Sequence, residues 1–255
     1  MSELFSGPGS VHDWIEVIED GRVRQMRFGK RGGWQGAVDL ARPDRPVFPY
    51  QRAFRGLVQT RPQLSSFLSI GVGAGTSLYH VRKAHPNCQL HGVEIDETVL
   101  GLAIEYFQAP THKEADYWVG DGFAFVRSEM AGIYDLIFVD AYLKTRIYQP
   151  ALATEVWGWL RDVLQPSGII VYNIIASHYR AGQLRAFVRA GAERFASIVD
   201  LPVGVPWTSQ NRLLIVSDKP NLAGELKEAL LYTDAAFVER SLWRARLRDL
   251  RGAVL

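Results

Sequence analysis

At 255 residues the chain can hold one large domain, or one domain with a small appendage, and its 47% apolar and 22% charged residues describe an ordinary soluble globular protein. The 29 basic and 27 acidic residues nearly cancel, so nothing in the overall charge asks for nucleic acid or an anionic membrane surface. The single cysteine, Cys88, excludes an internal disulfide and a multi-cysteine metal site; no segment resembles a signal peptide or a membrane span, and the expected location is cytoplasmic.

The first 40 residues predict β structure. Runs at 14–18 and 23–28 flank Glu19-Asp20-Gly21, and Asp-Gly between two such runs is a hairpin signal. Residues 32–36 are glycine-rich, and a proline-punctuated link over 42–49 leads into a helix at 50–60. From residue 66 onward, short runs rich in Val, Ile, Leu and Phe alternate with helical stretches. Strands are expected at 66–70, 90–95, 117–119, 134–140 and 168–174, with helices at 76–84, 97–107, 122–130 and 151–164. Gln165-Pro166-Ser167-Gly168 stops the last of these helices. A helix near 180–194 and strands at 196–203 and 212–216 follow; from Leu222 the chain reads as helical and basic, with Arg240, Arg244, Arg246, Arg248 and Arg251. The basic end is read as a solvated face, with self-association or an acidic partner as alternatives. The expected fold is α/β: a Rossmann-like, seven-stranded, mostly parallel sheet with helices on both faces, plus a small N-terminal β-hairpin appendage.

Four features fall at the carboxyl ends of successive predicted strands, the crevice where open α/β sheets bind ligands. Gly71-Val-Gly73-Ala-Gly75 allows a sharp turn and a close backbone approach with no β-carbon in the way, and Thr76 then opens a helix that offers its N–H groups. Glu94, 19 residues after Gly75, can accept hydrogen bonds from both hydroxyls of a ribose. In Gly120-Asp121-Gly122 the acid can accept from an exocyclic amine while Gly122 lets a ring lie flat on the backbone. Asp140 closes the run 135–140, nearest a reacting group. Singly, Asp121-Gly122 reads as a turn and Asp140 as a helix N-cap; in register, the four point to a nucleoside.

Tyr142, Tyr172, Asn173 and Trp207 fall at strand ends or in loops beside the crevice. Tyr142, two residues past Asp140, is taken as catalytic and substrate-binding, and Asn173 as an amide that orients substrate. The six histidines form no ligand pair at i, i+4, so no metal is expected; His178 is an alternative general base, and Cys88 reads as inert.

The glycine series, Val93-Glu94-Ile-Asp96, Gly120-Asp121-Gly122 and Asp140 together resemble class I S-adenosylmethionine-dependent methyltransferases. Within that group the Glu-Ile-Asp-x-x-Val run, the Asp-Gly after the third strand, the Tyr50-Gln51 pair and the N-terminal hairpin resemble the spermidine synthase (polyamine aminopropyltransferase) family, over about residues 12–217. The resemblance implies that Gly71, Gly73, Gly75, Glu94, Asp121, Gly122, Asp140 and Gln51 bind the cofactor. Glu94 would hold the ribose, Asp121 the adenine amino group and Gln51 the sulfur-bearing arm. It implies that Asp140 is the catalytic aspartate, that Gln35 and Tyr50 line the substrate entrance, and that the protein is a homodimer acting on a small-molecule acceptor. Residues 1–48 would be the appendage and link, and 49–255 the S-adenosylmethionine-binding domain.

The chain departs from that family at several positions. Ala74 stands where the family carries an acid facing the cofactor's amine, Leu143 replaces a second acid after Asp140, Arg52 replaces a glutamate, and Pro46 replaces an acid before the tyrosine. Losing the loop acid removes repulsion against a carboxylate, and a polyamine needs carboxylates around it. On charge grounds the expectation is therefore a methyltransferase using intact S-adenosylmethionine. The alternative is a polyamine aminopropyltransferase using the decarboxylated form, and a third is a non-catalytic nucleoside-binding module.

Overall fold

The computed structural model describes residues 1–29, 33–61, 63–128, 130–143, 146–147, 149–176, 182–204 and 210–251; of residues 142, 143, 146, 147 and 149 only backbone is described. The chain opens with β1 (Ser2–Gly7), β2 (Ile15–Asp20), β3 (Val23–Phe28) and β4 (Trp34–Asp39), followed by α1 (Pro49–Gln59). Then come β5 (Ser66–Ile70), α2 (Thr76–Ala84), β6 (Gln89–Glu94), α3 (Glu97–Tyr106), β7 (Asp116–Val119), α4 (Gly122–Val126) and β8 (Tyr134–Val139). Two short strands, β9 (Tyr142–Leu143) and β10 (Arg146–Ile147), precede a 3-10 turn (Gln149–Leu152), α5 (Val156–Asp162) and β11 (Leu164–Ala176). The chain ends with α6 (Gly182–Arg194), β12 (Ser197–Val203), β13 (Gln210–Ser217), α7 (Leu222–Ala229), α8 (Phe237–Arg246) and β14 (Arg248–Asp249).

The main sheet has the order β14-β12-β13-β11-β8-β5-β6-β7. β7, β6, β5, β8 and β11 run parallel, and β13 is antiparallel to both of its neighbours. The α/β reading holds, with one strand more than the expected seven because β14 adds a two-residue edge. The N-terminal hairpin is part of a four-stranded antiparallel sheet, β1-β2-β3-β4. Side chains of the central strands alternate between two apolar layers, as period-two geometry requires of a sheet covered on both faces. Phe67, Leu136, Phe138, Val171 and Leu213 meet α1, α2, α3, α7 and α8; Leu68, Ile70, Ile137, Val139, Ile170 and Leu214 meet α4, α5 and α6.

Two helix starts come from local side-chain chemistry. Asp121 caps α4, accepting from the N–H groups of Phe123 (2.9 Å) and Ala124 (2.7 Å). Asp96 caps α3, accepting from Thr98 N–H at 2.9 Å and Val99 N–H at 3.3 Å. Such a cap contributes about 1 kcal/mol. Asp96 also ties down the N-terminal segment. The backbone N–H groups of Ser10, Val11 and His12, the Ser10 hydroxyl and the His12 ring all reach its carboxylate at 2.7–3.0 Å. Behind this anchor, Ile15, Val17, Met26 and Phe28 of the small sheet pack with Ala74, Val99, Leu102 and Phe107.

The basic C-terminal segment is largely a set of staples. Arg240 donates to Leu231 O (2.7 Å), Arg244 to Lys227 O (2.9 Å), Arg246 to Gly204 O (2.5 Å) and Arg251 to Ala196 O (2.7 Å). These guanidinium groups satisfy loop and helix-end carbonyls, which is why the arginines cluster where two short helices close over the sheet edge.

Burial alone would push Asp96 up, but the converging donors outweigh it and hold its carboxyl well below the usual range. The stability this contributes is fully present above the ordinary aspartate value of 3.8 and is lost as pH falls below it. Asp96→Ala is expected to cost about 3 kcal/mol in urea unfolding at neutral pH, the scale for removing a buried, multiply hydrogen-bonded carboxylate. The difference from wild type should shrink as the pH is taken below about 4.

Candidate active site

A cleft of about 240 Å³ opens over the carboxyl ends of β5, β6, β7, β8 and β11. It lies where the sheet order turns: from β5 the chain steps outward to β6 and β7, then returns to the other side with β8. Strand ends diverge at such a switch point and leave room for a ligand. The N-terminal sheet supplies one wall through Phe28, Trp34 and Gln35, and the start of α1 another through Tyr50 and Gln51.

The glycine loop is built by close backbone approach. Gly71, Gly73 and Gly75 all have positive φ (87°, 54° and 71°). A β-carbon at Gly71 would lie 2.4 Å from the carbonyl oxygen of Asp140, and one at Gly75 would lie 2.3 Å from Cβ of Ala109. Gly71 and Gly73 line the cleft, whereas Gly75 faces Ala109 and starts α2. Glu94 fastens the loop from below: its Oε2 accepts from the N–H groups of Val72 and Gly73, each at 3.0 Å. Burial pushes its carboxyl above the usual range, and the N–H groups of Gly73, Asp96 and Val72 oppose that rise. Asp121 and Gly122 line the same cleft from the β7 side.

At the opposite end, Asp140 sits beyond β8 with its backbone N–H bonded to Ile70 O at 2.9 Å. It does not cap a helix. The Tyr50 hydroxyl donates to Oδ2 at 2.8 Å, and Asn173 Nδ2 donates to Oδ1 at 2.7 Å. Burial raises the Asp140 carboxyl above the ordinary range, while the Asn173 and Tyr50 hydrogen bonds, which favour the ionised form, oppose it. Gln51 Nε2 donates to Tyr50 Oη at 3.3 Å, and its Oε1 is buried with no partner among the described residues. A buried acceptor without a donor is costly, so this oxygen fits a site that a ligand N–H or O–H completes.

The structure thus brings Gln35, Tyr50, Gln51, Gly71, Gly73, Glu94, Asp121, Gly122, Asp140 and Asn173 to one cleft. Tyr50 does more than line the entrance, since it holds the Asp140 carboxylate. Tyr172 belongs to the core, packed on Trp157 and Phe187 with its hydroxyl on Ala151 O at 3.3 Å. The Tyr142 side chain, His178 and Trp207 lie outside the described residues. Asn211, which the sequence did not single out, also lines the cleft and donates to Asn173 Oδ1 at 2.9 Å.

Two departures have structural explanations. Ala74 faces Gly36 of β4, where a β-carbon would lie 2.4 Å from its own, so the N-terminal strand lies directly on the loop at that point. Arg52 points to α8 and the link: it donates to Glu239 Oε1 at 2.7 Å, Pro46 O at 3.1 Å and Val47 O at 2.6 Å. Small residues at 36 and 74 and a cation at 52 therefore serve packing and tethering.

Gly71→Ala combines a left-handed backbone with a contact against the Asp140 carbonyl. We expect it to destabilise the fold by at least about 2 kcal/mol in urea unfolding, more than the roughly 1 kcal/mol that a positive φ alone costs.

The model of the spermine/spermidine synthase domain matches residues 48–226 of this chain. A polyamine aminopropyltransferase of Chromobacterium violaceum is 26% identical over 162 residues, covering 62% of this chain and 60% of the relative, so the match spans less than two thirds of that protein. A spermidine synthase solved with the transition-state analogue AdoDATO superposes with a TM-score of 0.73 at 17% identity, covering 96% of this chain and 84% of that one. A probable spermidine synthase from Corynebacterium glutamicum gives 0.70 at 18% identity, covering 92% and 87%. These findings overturn the expectation of a methyltransferase. That expectation rested on charges lost at positions 46, 52, 74 and 143, and the contacts of Arg52 and Ala74 account for two of the four without any change of transferred group. The chain belongs to the spermine/spermidine synthase family.

Proposed function

We propose that this chain transfers an aminopropyl group from decarboxylated S-adenosylmethionine to a small amine acceptor. The observation that carries the reading is the Asp140 carboxylate, held by Tyr50 and Asn173 at the switch point beside the glycine loop. The family match and the aminopropyltransferase relatives support it. In this reading residues 49–255 carry the nucleoside and residues 1–48 roof it, with Phe28, Trp34 and Gln35 closing one wall.

Glu94 serves the ribose hydroxyls and Asp121 the adenine amino group, each from its own strand end. Gln51 Oε1, buried and without a partner, accepts from the ammonium of the three-carbon arm, a task the family gives to an acid where this chain has Ala74. When bound, the sulfonium supplies an electrophilic carbon: its bond to sulfur breaks as the new bond to the acceptor nitrogen forms, and methylthioadenosine leaves. Asp140 accepts the proton that the acceptor's ammonium gives up and holds the nitrogen in line. Tyr50 and Asn173 keep the two carboxylate oxygens from rotating, so much of the rate comes from positioning.

Asp140 must be ionised to act as a base. Because burial raises its carboxyl, the acid limb of kcat/KM should lie above the ordinary aspartate value of 3.8. Tyr50→Phe removes a donor that favours the carboxylate and should move that limb to higher pH. Asp140→Asn should lower kcat for methylthioadenosine release by about 10²-fold or more with little change in nucleoside affinity. An Asp140→Asn enzyme with wild-type kcat would defeat the assignment.

A further inference from the structure

The Asp140 carboxylate is the end of a side-chain chain that runs across three adjacent strands. Asn211 lies on β13, Asn173 on β11, and Asp140 just beyond β8, and those strands are neighbours in the sheet. In the β11–β13 register Asn211 stands opposite Ile175, which places Asn173 one diagonal step away on the same face. In the β8–β11 register Tyr172 pairs with Val139, so Asn173 comes level with Asp140. Asn211 Nδ2 donates to Asn173 Oδ1 at 2.9 Å, and Asn173 Nδ2 donates to Asp140 Oδ1 at 2.7 Å.

A carboxamide has one accepting end and one donating end, and rotating it by half a turn exchanges them. An ionised Asp140 can only accept, so it is served only when Asn173 turns its amino group inward. Asn211, arriving from the far side with a donor, holds the Asn173 oxygen outward and fixes that orientation. We infer that Asn211 is a positioning residue: through Asn173 it sets the hydrogen bonding of Asp140. This rests on Asp140 being the group that takes the acceptor's proton.

The groups packed around Asp140 are compatible with such a relay. Tyr50 reaches it from α1, and Glu94 and Asp121 line the same cleft at the nucleoside end. Arg212, the next residue after Asn211, is turned to the other face of the strand and is engaged with Asp200. None of these ionisable groups is altered in the variants below. The Asn173 hydrogen bond favours the ionised form of Asp140, so weakening it raises the carboxyl.

The test is a carbon-13 NMR titration of side-chain-labelled aspartate in the protein alone, with the Asp140 signal identified by its loss in Asp140→Asn. Asn173→Ala should displace the Asp140 titration to higher pH, Asn211→Ala should displace it in the same direction by less, and the double variant should titrate like Asn173→Ala. An Asp140 titration unmoved in Asn211→Ala would overturn the relay, even if that variant melts at a lower temperature. A double variant displaced by the sum of the two single effects would also overturn it, because Asn211 would then act on Asp140 without passing through Asn173. The titration needs no cofactor, which separates the two readings. A titration that moves while the acid limb of kcat/KM stays fixed would keep the relay and remove Asp140 from the role of base.

Discussion

At the switch point of the sheet, Gly71 and Asp140 stand so close that a β-carbon on the glycine would lie 2.4 Å from the aspartate's carbonyl oxygen. That approach is what the site depends on. It draws the end of β5 against the end of β8, a contact reinforced by the Asp140 N–H on Ile70 O at 2.9 Å. With the two strand ends pinned, the loop after Gly71 must turn over the end of β6, where Glu94 takes the N–H groups of Val72 and Gly73. The same contact leaves the Asp140 side chain on the face covered by α1, within reach of Tyr50. One backbone approach therefore sets both ends of the cleft, the glycine-loop end and the Asp140 end.

The N-terminal sheet is held to this frame by a second constraint of the same kind. Asp96 gathers the segment 10–12 with five hydrogen bonds while capping α3, and Gly36 rests on Ala74. Position 74 thus answers to two demands, the strand above it and the cleft beside it. An acid there has to compete with a strand for the same space, and in this chain the strand occupies it. The buried, unpartnered oxygen of Gln51 lies in the same cleft, which is consistent with amine recognition being carried by a neutral acceptor. A neutral acceptor discriminates against a neighbouring carboxylate less than an anion does, so under the proposed function the decarboxylated and intact forms of S-adenosylmethionine are expected to differ less in affinity here than at a site with the acid.

Most of the sheet was legible because its central strands are continuous apolar runs separated by amphipathic helices, and that pattern survives any change of partner. The helix at 76–84 and the strand at 66–70 were placed to the residue. What escaped depends on tertiary contact. β4 (Trp34–Asp39) lies within the 40 residues expected to be β, but its glycines leave no apolar run to mark it as a strand of its own, and Gly36 is there for Ala74. β1 (Ser2–Gly7) has little apolar alternation and is held by pairing with β2 across a bulge. β11 starts at Leu164, through the turn signal at Pro166, with its register shifting between Leu164 and Ile169. β13 begins two residues earlier than expected, and that difference hid Asn211. The strand-end acids were visible as types at a spacing; the partners that give each its chemistry, Tyr50 and Asn173 above all, come from elements 90 and 33 residues away. The error about the transferred group came from reading charge at positions 52 and 74 without knowing what else those positions touch.

Aminopropyl transfer is tested by the mass of the product formed from an amine acceptor such as putrescine, with decarboxylated and intact S-adenosylmethionine supplied in separate reactions. The expected product is an acceptor enlarged by one aminopropyl group, formed with the decarboxylated cofactor together with methylthioadenosine and lost in Asp140→Asn. An acceptor enlarged by a single methyl group, formed with the intact cofactor, would contradict aminopropyl transfer.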